Sequence, residues 1–78
     1  MSFKVLVNSV EKIQDFVTIT NSTDYDVDLL SGRSTYLDGK SFLGILSCNI
    51  NEPMTVIVNC DDDSENARLR GQLDRYIV

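Results

Sequence analysis

The hydrophobic and polar positions along the chain repeat with a period of two in some segments and with a helical period in others. The clearest strand pattern is residues 25–29, where apolar residues alternate strictly with aspartates. The Ser-Gly-Arg segment after it predicts a hairpin, because Gly32 adopts a positive φ without steric cost. The predicted strands are residues 3–7, 25–29, 34–37 and 54–58.

Three segments have the helical period. The first follows Asn8 and Ser9, either of which can cap it, and Glu11 stands three residues after Asn8 as in a capping box. Ser41 is the predicted N-cap of a short second helix ending near residue 48, and Pro53 prevents any helix from continuing. The third helix follows an acidic run. The apolar stripes of the first and third helices are Val10, Ile13, Phe16 and Val17, and Leu69, Leu73, Tyr76 and Ile77.

These elements follow the order β-α-β-β-α-β-α within a single domain, residues 1–78. Four strands of this length form one sheet, and three helices cover only one of its faces unless connections cross. The sequence therefore predicts an α+β fold, an open-faced β-sandwich with a four-stranded antiparallel sheet, three helices on one face and solvent on the other.

Composition narrows the classes of function. Seven basic and twelve acidic residues give a net charge of −5, and the basic residues are dispersed, which argues against nucleic acid as a partner. The apolar runs are too short for a membrane span or a signal peptide, so we expect a cytoplasmic protein. Cys48 and Cys60 fit no zinc pattern; they are either small buried side chains or a redox pair. No cofactor is predicted.

Two clusters of acidic residues can each be interpreted either as a cation site or as a solvated surface. Asp24, Asp26 and Asp28 imitate the start of a calcium loop, but Leu29 stands where that loop needs glycine. Consecutive carboxylates in residues 61–63 point in different directions and suit the start of a helix. The solvated interpretation is favoured for both groups, and no metal site is predicted.

One segment resembles a known protein family. Residues 40–48 read Lys-Ser-Phe-Leu-Gly-Ile-Leu-Ser-Cys and are similar at every position to the Lys-Ser-Ile-Met-Gly-Leu-Met-Ser-Leu helix of the histidine-containing phosphocarrier (HPr) family. Residues 37–39 resemble the family's Val-Asp-Gly, and Leu73, Tyr76 and Ile77 resemble its closing Leu-x-x-Tyr-Val. The resemblance implies the HPr fold and a connection with the bacterial phosphotransferase system.

The chain departs from this family where the reactive histidine stands, since it contains no histidine. Placing Phe16-Val17 on the family's Phe-Val pair puts Ser9 near the lost histidine and Glu11 near the lost arginine. A serine hydroxyl would not relay phosphate reversibly, and Glu11 would repel a phosphoryl group. We therefore expect neither phosphocarrier activity nor any other enzymatic activity.

The resemblance assigns a regulatory role to Ser41, which matches the serine that a dedicated kinase modifies in Gram-positive members of the family. A phosphate there would be favoured by the start of the helix and by Lys40. The alternative is that Ser41 is only a cap.

The same helix carries a candidate docking patch. Helical spacing groups Phe42, Leu43 and Leu46, which match the family's partner-binding surface, and we expect Ile45 and Cys48 to face inward. The predicted partner-binding residues are these three and Lys40, which precedes the helix. Core packing is the alternative for Phe42 and Leu43.

Two expectations of function remain open. The first is an HPr-like regulatory module whose partner is a serine kinase or a transcriptional regulator of the phosphotransferase system. The second is a structural or oligomerisation domain that pairs through an exposed sheet edge or an apolar helix face. Either is compatible with a monomer or a weak homodimer.

Overall fold

A computed structural model describes residues 2–78, which form four strands, three α-helices and a short C-terminal 3₁₀ helix. The order of the elements confirms the α+β prediction. They are β1 (Ser2–Val5), α1 (Val10–Asn21), β2 (Val27–Ser31), β3 (Thr35–Asp38), α2 (Phe42–Leu46), β4 (Met54–Val58), α3 (Asp63–Gln72) and the 3₁₀ helix (Asp74–Tyr76).

The strands form one antiparallel sheet in the order β1-β4-β2-β3. Alternate residues of β1, β2 and β4 are buried, and they join apolar residues of all three helices in one core. The other sheet face carries exposed or half-buried residues such as Lys4, Leu30 and Tyr36, so the sandwich is open on that side as predicted. The buried strand residues are Phe3, Val5, Val27, Leu29, Met54, Val56 and Val58.

Some boundaries differ from the predicted ones because contacts outside the sheet satisfy the same apolar pattern. β2 begins at Val27, and Tyr25 instead lies half-buried with its hydroxyl 3.4 Å from the Glu65 carbonyl oxygen. The last helix ends at Gln72, and Ile77 pairs with Val5 beside β1.

The predicted stripe of α1 is wrong at Val10. This residue is half-exposed because it is the first of the helix and lies beyond the edge of the core, whereas Ile13 and Phe16 are fully buried. The predicted hairpin is confirmed, and Gly32 has a φ of +67° in its turn. Across residues 2–78, every helix is too short or too polar to span a bilayer.

Candidate docking site at helix α2

Ser41 caps helix α2, as predicted. Its backbone is extended, its Oγ accepts a hydrogen bond from the Gly44 N–H at 3.2 Å, and its carbonyl accepts from Ile45. A Cβ atom on residue 44 would lie only 3.1 Å from this Oγ, so glycine allows the hydroxyl to approach the first turn closely. The hydroxyl is therefore held against the start of the helix while the residue stays half-buried.

A joint between α1 and the segment before α2 fixes where this helix begins. Thr20, the fully buried residue near the end of α1, donates its hydroxyl to the Gly39 carbonyl at 2.8 Å. The next residue, Asn21, donates its side-chain amide to the Lys40 carbonyl at 3.1 Å. Gly39 itself is pressed against β2, because a Cβ atom there would lie 2.6 Å from the Val27 carbonyl oxygen. We call Thr20, Asn21, Gly39 and Lys40 the α1–α2 joint.

Lys40 also contributes its side chain to the same region. Its Nζ donates to the Thr23 carbonyl at 2.9 Å, and its backbone N–H donates to Asp38 Oδ1 at 2.9 Å. The residue is half-buried, and its bond to Thr23 ties the charge beside Ser41 to the turn that follows α1.

The residues of the predicted patch on α2 differ in how deeply they are buried. Leu43 is 74% exposed and Leu46 is 37% exposed, whereas Phe42 is half-buried and packs against the core. Ile45 is fully buried, which confirms that it points inward, and Cys48 is half-buried. The outer surface of α2 is thus Leu43 and Leu46, with Phe42 at its base; we call these three residues the α2 face.

The junction between β1 and α1, which contains Ser9 and Glu11, has a simpler construction. Ser9 is the N-cap of α1, and its Oγ accepts from the Lys12 N–H at 3.2 Å. Asn8 instead accepts from the Lys12 ammonium at 2.9 Å, so the predicted capping box of Asn8 and Glu11 is wrong. Glu11 is exposed in the first turn. The one hydrogen bond described for the Ser9 hydroxyl is the one that caps α1.

A second contact, also missed from the sequence, secures α1 at its middle. The hydroxyl of Tyr76 donates to the Asp15 carboxylate, and Arg75 lies 3.6 Å from the same carboxylate. Burial of the phenol raises the pKa of Tyr76, and the hydrogen bond and negative charge of Asp15 raise it further. Burial also raises the pKa of Tyr25, with a smaller contribution from the charge of Glu65.

Sequence reasoning missed Thr20 as well, although a signal for it exists. It stands four residues after Phe16 and seven after Ile13, which is the spacing of the buried face of α1. A polar residue on such a face needs a hydrogen-bond partner, so its burial could have been predicted but its partner could not.

The two cysteines form no disulfide with each other. Cys48 and Cys60 are both free and half-buried, and Cys48 lies with its sulfur 3.8 Å from the Gly44 carbonyl oxygen. Within residues 2–78, no group of three or more acidic or cysteine side chains is arranged to hold a metal ion.

Comparisons of the chain with protein-family models, with curated proteins and with solved structures found no match. The candidate site therefore rests on its own geometry and on the residue pattern of α2.

Proposed function

We propose that the protein is a cytoplasmic, protein-binding regulatory module that docks its partners through the α2 face and carries no phosphoryl group on histidine. The observation that carries this proposal is the exposure of Leu43, 74%, on a helix in which Ile45, two residues later, is fully buried. The proposal gives the chain a binding role rather than a catalytic one.

Leu43 is suited to binding because the helix that presents it is already ordered. Burying an exposed leucine in a partner's apolar pocket contributes about 1.5–3 kcal/mol. The α1–α2 joint and the Ser41 cap hold the helix before the partner arrives, so little ordering entropy opposes the interaction.

The partner follows from the resemblance of residues 40–48 to the HPr helix. It is a serine kinase or a transcriptional regulator of the phosphotransferase system, and Ser41 is the residue that the kinase modifies. Phosphorylation adds a charge of about −1.5 to −2 one turn or less from Leu43. A phosphate oxygen could still accept from the Gly44 N–H, so the helix would keep a cap while its docking surface became strongly anionic.

An HPr-type serine kinase with ATP tests both parts of the proposal. We expect mass spectrometry to find one phosphate on Ser41 of the wild type and none on Ser41→Ala. Ser47→Ala is the matched control, because Ser47 lies at the other end of the same helix and its hydroxyl donates to the Gly44 carbonyl. This variant should be phosphorylated at the wild-type rate.

The docking face is tested in the same reaction with Leu43→Glu. We expect this substitution to slow phosphorylation of Ser41 while leaving the circular dichroism spectrum unchanged, because the side chain is exposed. An unmodified Ser41 in the wild type would eliminate the switch. A wild-type rate for Leu43→Glu would eliminate the α2 face as the docking surface.

A further inference from the structure

The two edges of the sheet differ in whether another part of the chain covers them. The outer edge of β1 is covered by the C-terminal residues, since Leu6 donates to the Tyr76 carbonyl at 2.8 Å and Val78 donates to the Lys4 carbonyl at 3.1 Å. β3 is the other edge, and β2 is its neighbour in the sheet. Three of its four residues are exposed.

The register of β2 and β3 determines which backbone groups of β3 face outward. The Gly39 N–H donates to the Val27 carbonyl at 2.7 Å, which makes this a hydrogen-bonded pair of the antiparallel ladder. Because such pairs alternate, Leu37 and Thr35 also bond toward β2, and Tyr36 and Asp38 direct their N–H groups away from it. Among residues 2–78, no hydrogen bond from these two N–H groups is present.

The outward groups of β3 are self-complementary about Tyr36. If a second copy lies antiparallel to β3 on a two-fold axis, each Tyr36 N–H meets the Tyr36 carbonyl of the other copy, and each Asp38 N–H meets the carbonyl of Ser34. The Tyr36 side chain is 67% exposed and lies on the open face beside half-buried Leu30. The two tyrosine rings would therefore become neighbours across the axis, an arrangement that favours strand pairing.

Charge opposes contact between copies less at this edge than over the rest of the chain. The whole chain has a net charge of −5, so two copies repel each other in most orientations. Residues 32–41 contain Arg33, Lys40 and a single acidic residue, Asp38, and therefore carry one net positive charge. The antiparallel register places Asp38 of one copy opposite Ser34 of the other, so no two like charges lie directly opposite each other across the axis.

From these observations we propose that two copies of this chain pair through β3, antiparallel and centred on Tyr36, to form one continuous sheet. The proposal concerns the sheet edge and does not depend on the function proposed for α2. The contact is a short strand pair, so the dimer is weak and is populated at high protein concentration.

Sedimentation equilibrium across micromolar to millimolar protein tests the association. We expect the average mass of the wild type to rise from monomer toward dimer. Tyr36→Pro removes the central outward N–H while being compatible with an edge strand, and Tyr36→Lys places like charges across the axis. Each should weaken dimerisation by about tenfold or more.

The Tyr36→Lys variant keeps the proposal testable if Tyr36→Pro does not fold, and Leu43→Glu should leave dimerisation unchanged. A wild type that stays monomeric throughout the concentration range would overturn the proposal. Loss of the dimer in Leu43→Glu but not in Tyr36→Lys would also overturn it, because the contact would then lie on α2.

Disulfide trapping tests the register. Hydrogen-bonded antiparallel pairs have Cα atoms about 5.5 Å apart, which a disulfide can bridge, so Tyr36→Cys should form a covalent dimer on mild oxidation. Ser34→Cys is the matched control, because Ser34 lies in the turn just before β3 and its two copies would lie about 13 Å apart. The wild type, with its half-buried Cys48 and Cys60, gives the background. Equal trapping of Tyr36→Cys and Ser34→Cys would contradict the proposed axis.

Discussion

Helices α1 and α2 begin in the same way but are held in place differently. In each helix a serine Oγ accepts a hydrogen bond at 3.2 Å from the backbone N–H three residues later. Among the described contacts, the start of α1 is secured by the neighbouring Asn8 and Lys12, whereas the start of α2 is tied to a distant part of the chain through the α1–α2 joint. A capping sequence thus fixes where a helix begins, and tertiary hydrogen bonds fix where that beginning lies in the molecule.

This difference matches the roles that we propose for the two junctions. A docking face needs a position that is fixed before binding, and the joint provides one for Leu43. The α1 junction, for which we propose no binding role, needs only to begin a helix. Substitutions should therefore have larger effects at the α1–α2 joint than at the α1 cap.

The largest effect is expected from Gly39→Ala. The new Cβ would lie 2.6 Å from the Val27 carbonyl oxygen, which is too close for van der Waals contact. Either β2 must shift, or residue 39 must move away from Thr20 and weaken their hydrogen bond. We expect the free energy of unfolding, measured by urea denaturation, to fall by about 3 kcal/mol.

Gly71→Ala is the matched control for this substitution. Gly71 lies in α3 with nothing within 4 Å of the added Cβ, so alanine should stabilise the protein by about 0.5–1 kcal/mol. A Gly39→Ala protein as stable as the wild type would show that the joint is not tightly packed.

Thr20→Val should have the next largest effect. The substitution preserves shape but removes the buried hydroxyl that donates to Gly39, leaving that carbonyl without this partner. We expect a loss of about 2 kcal/mol in the free energy of unfolding. Thr18→Val is the control, because Thr18 is exposed and its hydroxyl bonds within α1 to the Gln14 carbonyl; it should change stability by less than about 0.5 kcal/mol. Equal losses of stability in Thr20→Val and Thr18→Val would mean that the hydrogen bond to Gly39 contributes no more than a hydrogen bond within α1.

Tyr76→Phe tests how α1 is held at its middle rather than at its start. The substitution removes the hydrogen bond to Asp15 and should lower stability at neutral pH by about 1.5 kcal/mol. Since the pKa of Tyr76 is raised in the folded state, its contribution is complete below about pH 10, the pKa of an unfolded tyrosine. The contribution is lost as the pH rises through the folded pKa.

The difference in stability between wild type and Tyr76→Phe should therefore shrink at alkaline pH. Urea denaturation at a series of pH values from about 8 to about 11 measures it. Tyr36→Phe, which removes a hydroxyl from an exposed ring, is the control substitution in the same series. A constant difference between wild type and Tyr76→Phe at every pH would contradict the assigned pKa direction.

The contrast between the two junctions also separates what the sequence could predict from what it could not. The Ser41 cap, the inward direction of Ile45 and the turn at Gly32 were predictable, because each follows from residues within one or two turns of the chain. The joint was not, because Thr20 and the carbonyl that it bonds are 19 residues apart and local pattern contains no information about such a pair. Tyr25 misled the strand prediction because a half-buried loop residue has the same alternation as a strand residue.

The exposure of the α2 face lies between these extremes. Spacing predicted that Phe42, Leu43 and Leu46 share a side of the helix, but how deeply each is buried depends on how α2 sits on its neighbours. A short helix has too few turns for the sequence to fix that angle, which is why Phe42 is half-buried while Leu43 is exposed.

The smallest effects on stability are expected at the two caps themselves. The two cap substitutions should differ in which residues they perturb rather than in how much stability they cost. Ser9→Ala and Ser41→Ala should each cost about 1 kcal/mol, and Ser9→Asp and Ser41→Asp, which keep a capping oxygen, should recover most of that loss. Amide chemical shifts distinguish the two sites. Ser9→Ala should perturb the first turn of α1 alone, whereas Ser41→Ala should also perturb Thr20 and Asn21, because the joint connects them to the start of α2. If the shifts in Ser41→Ala stayed within α2, the two junctions would be mechanically equivalent and the joint would not transmit a change at Ser41.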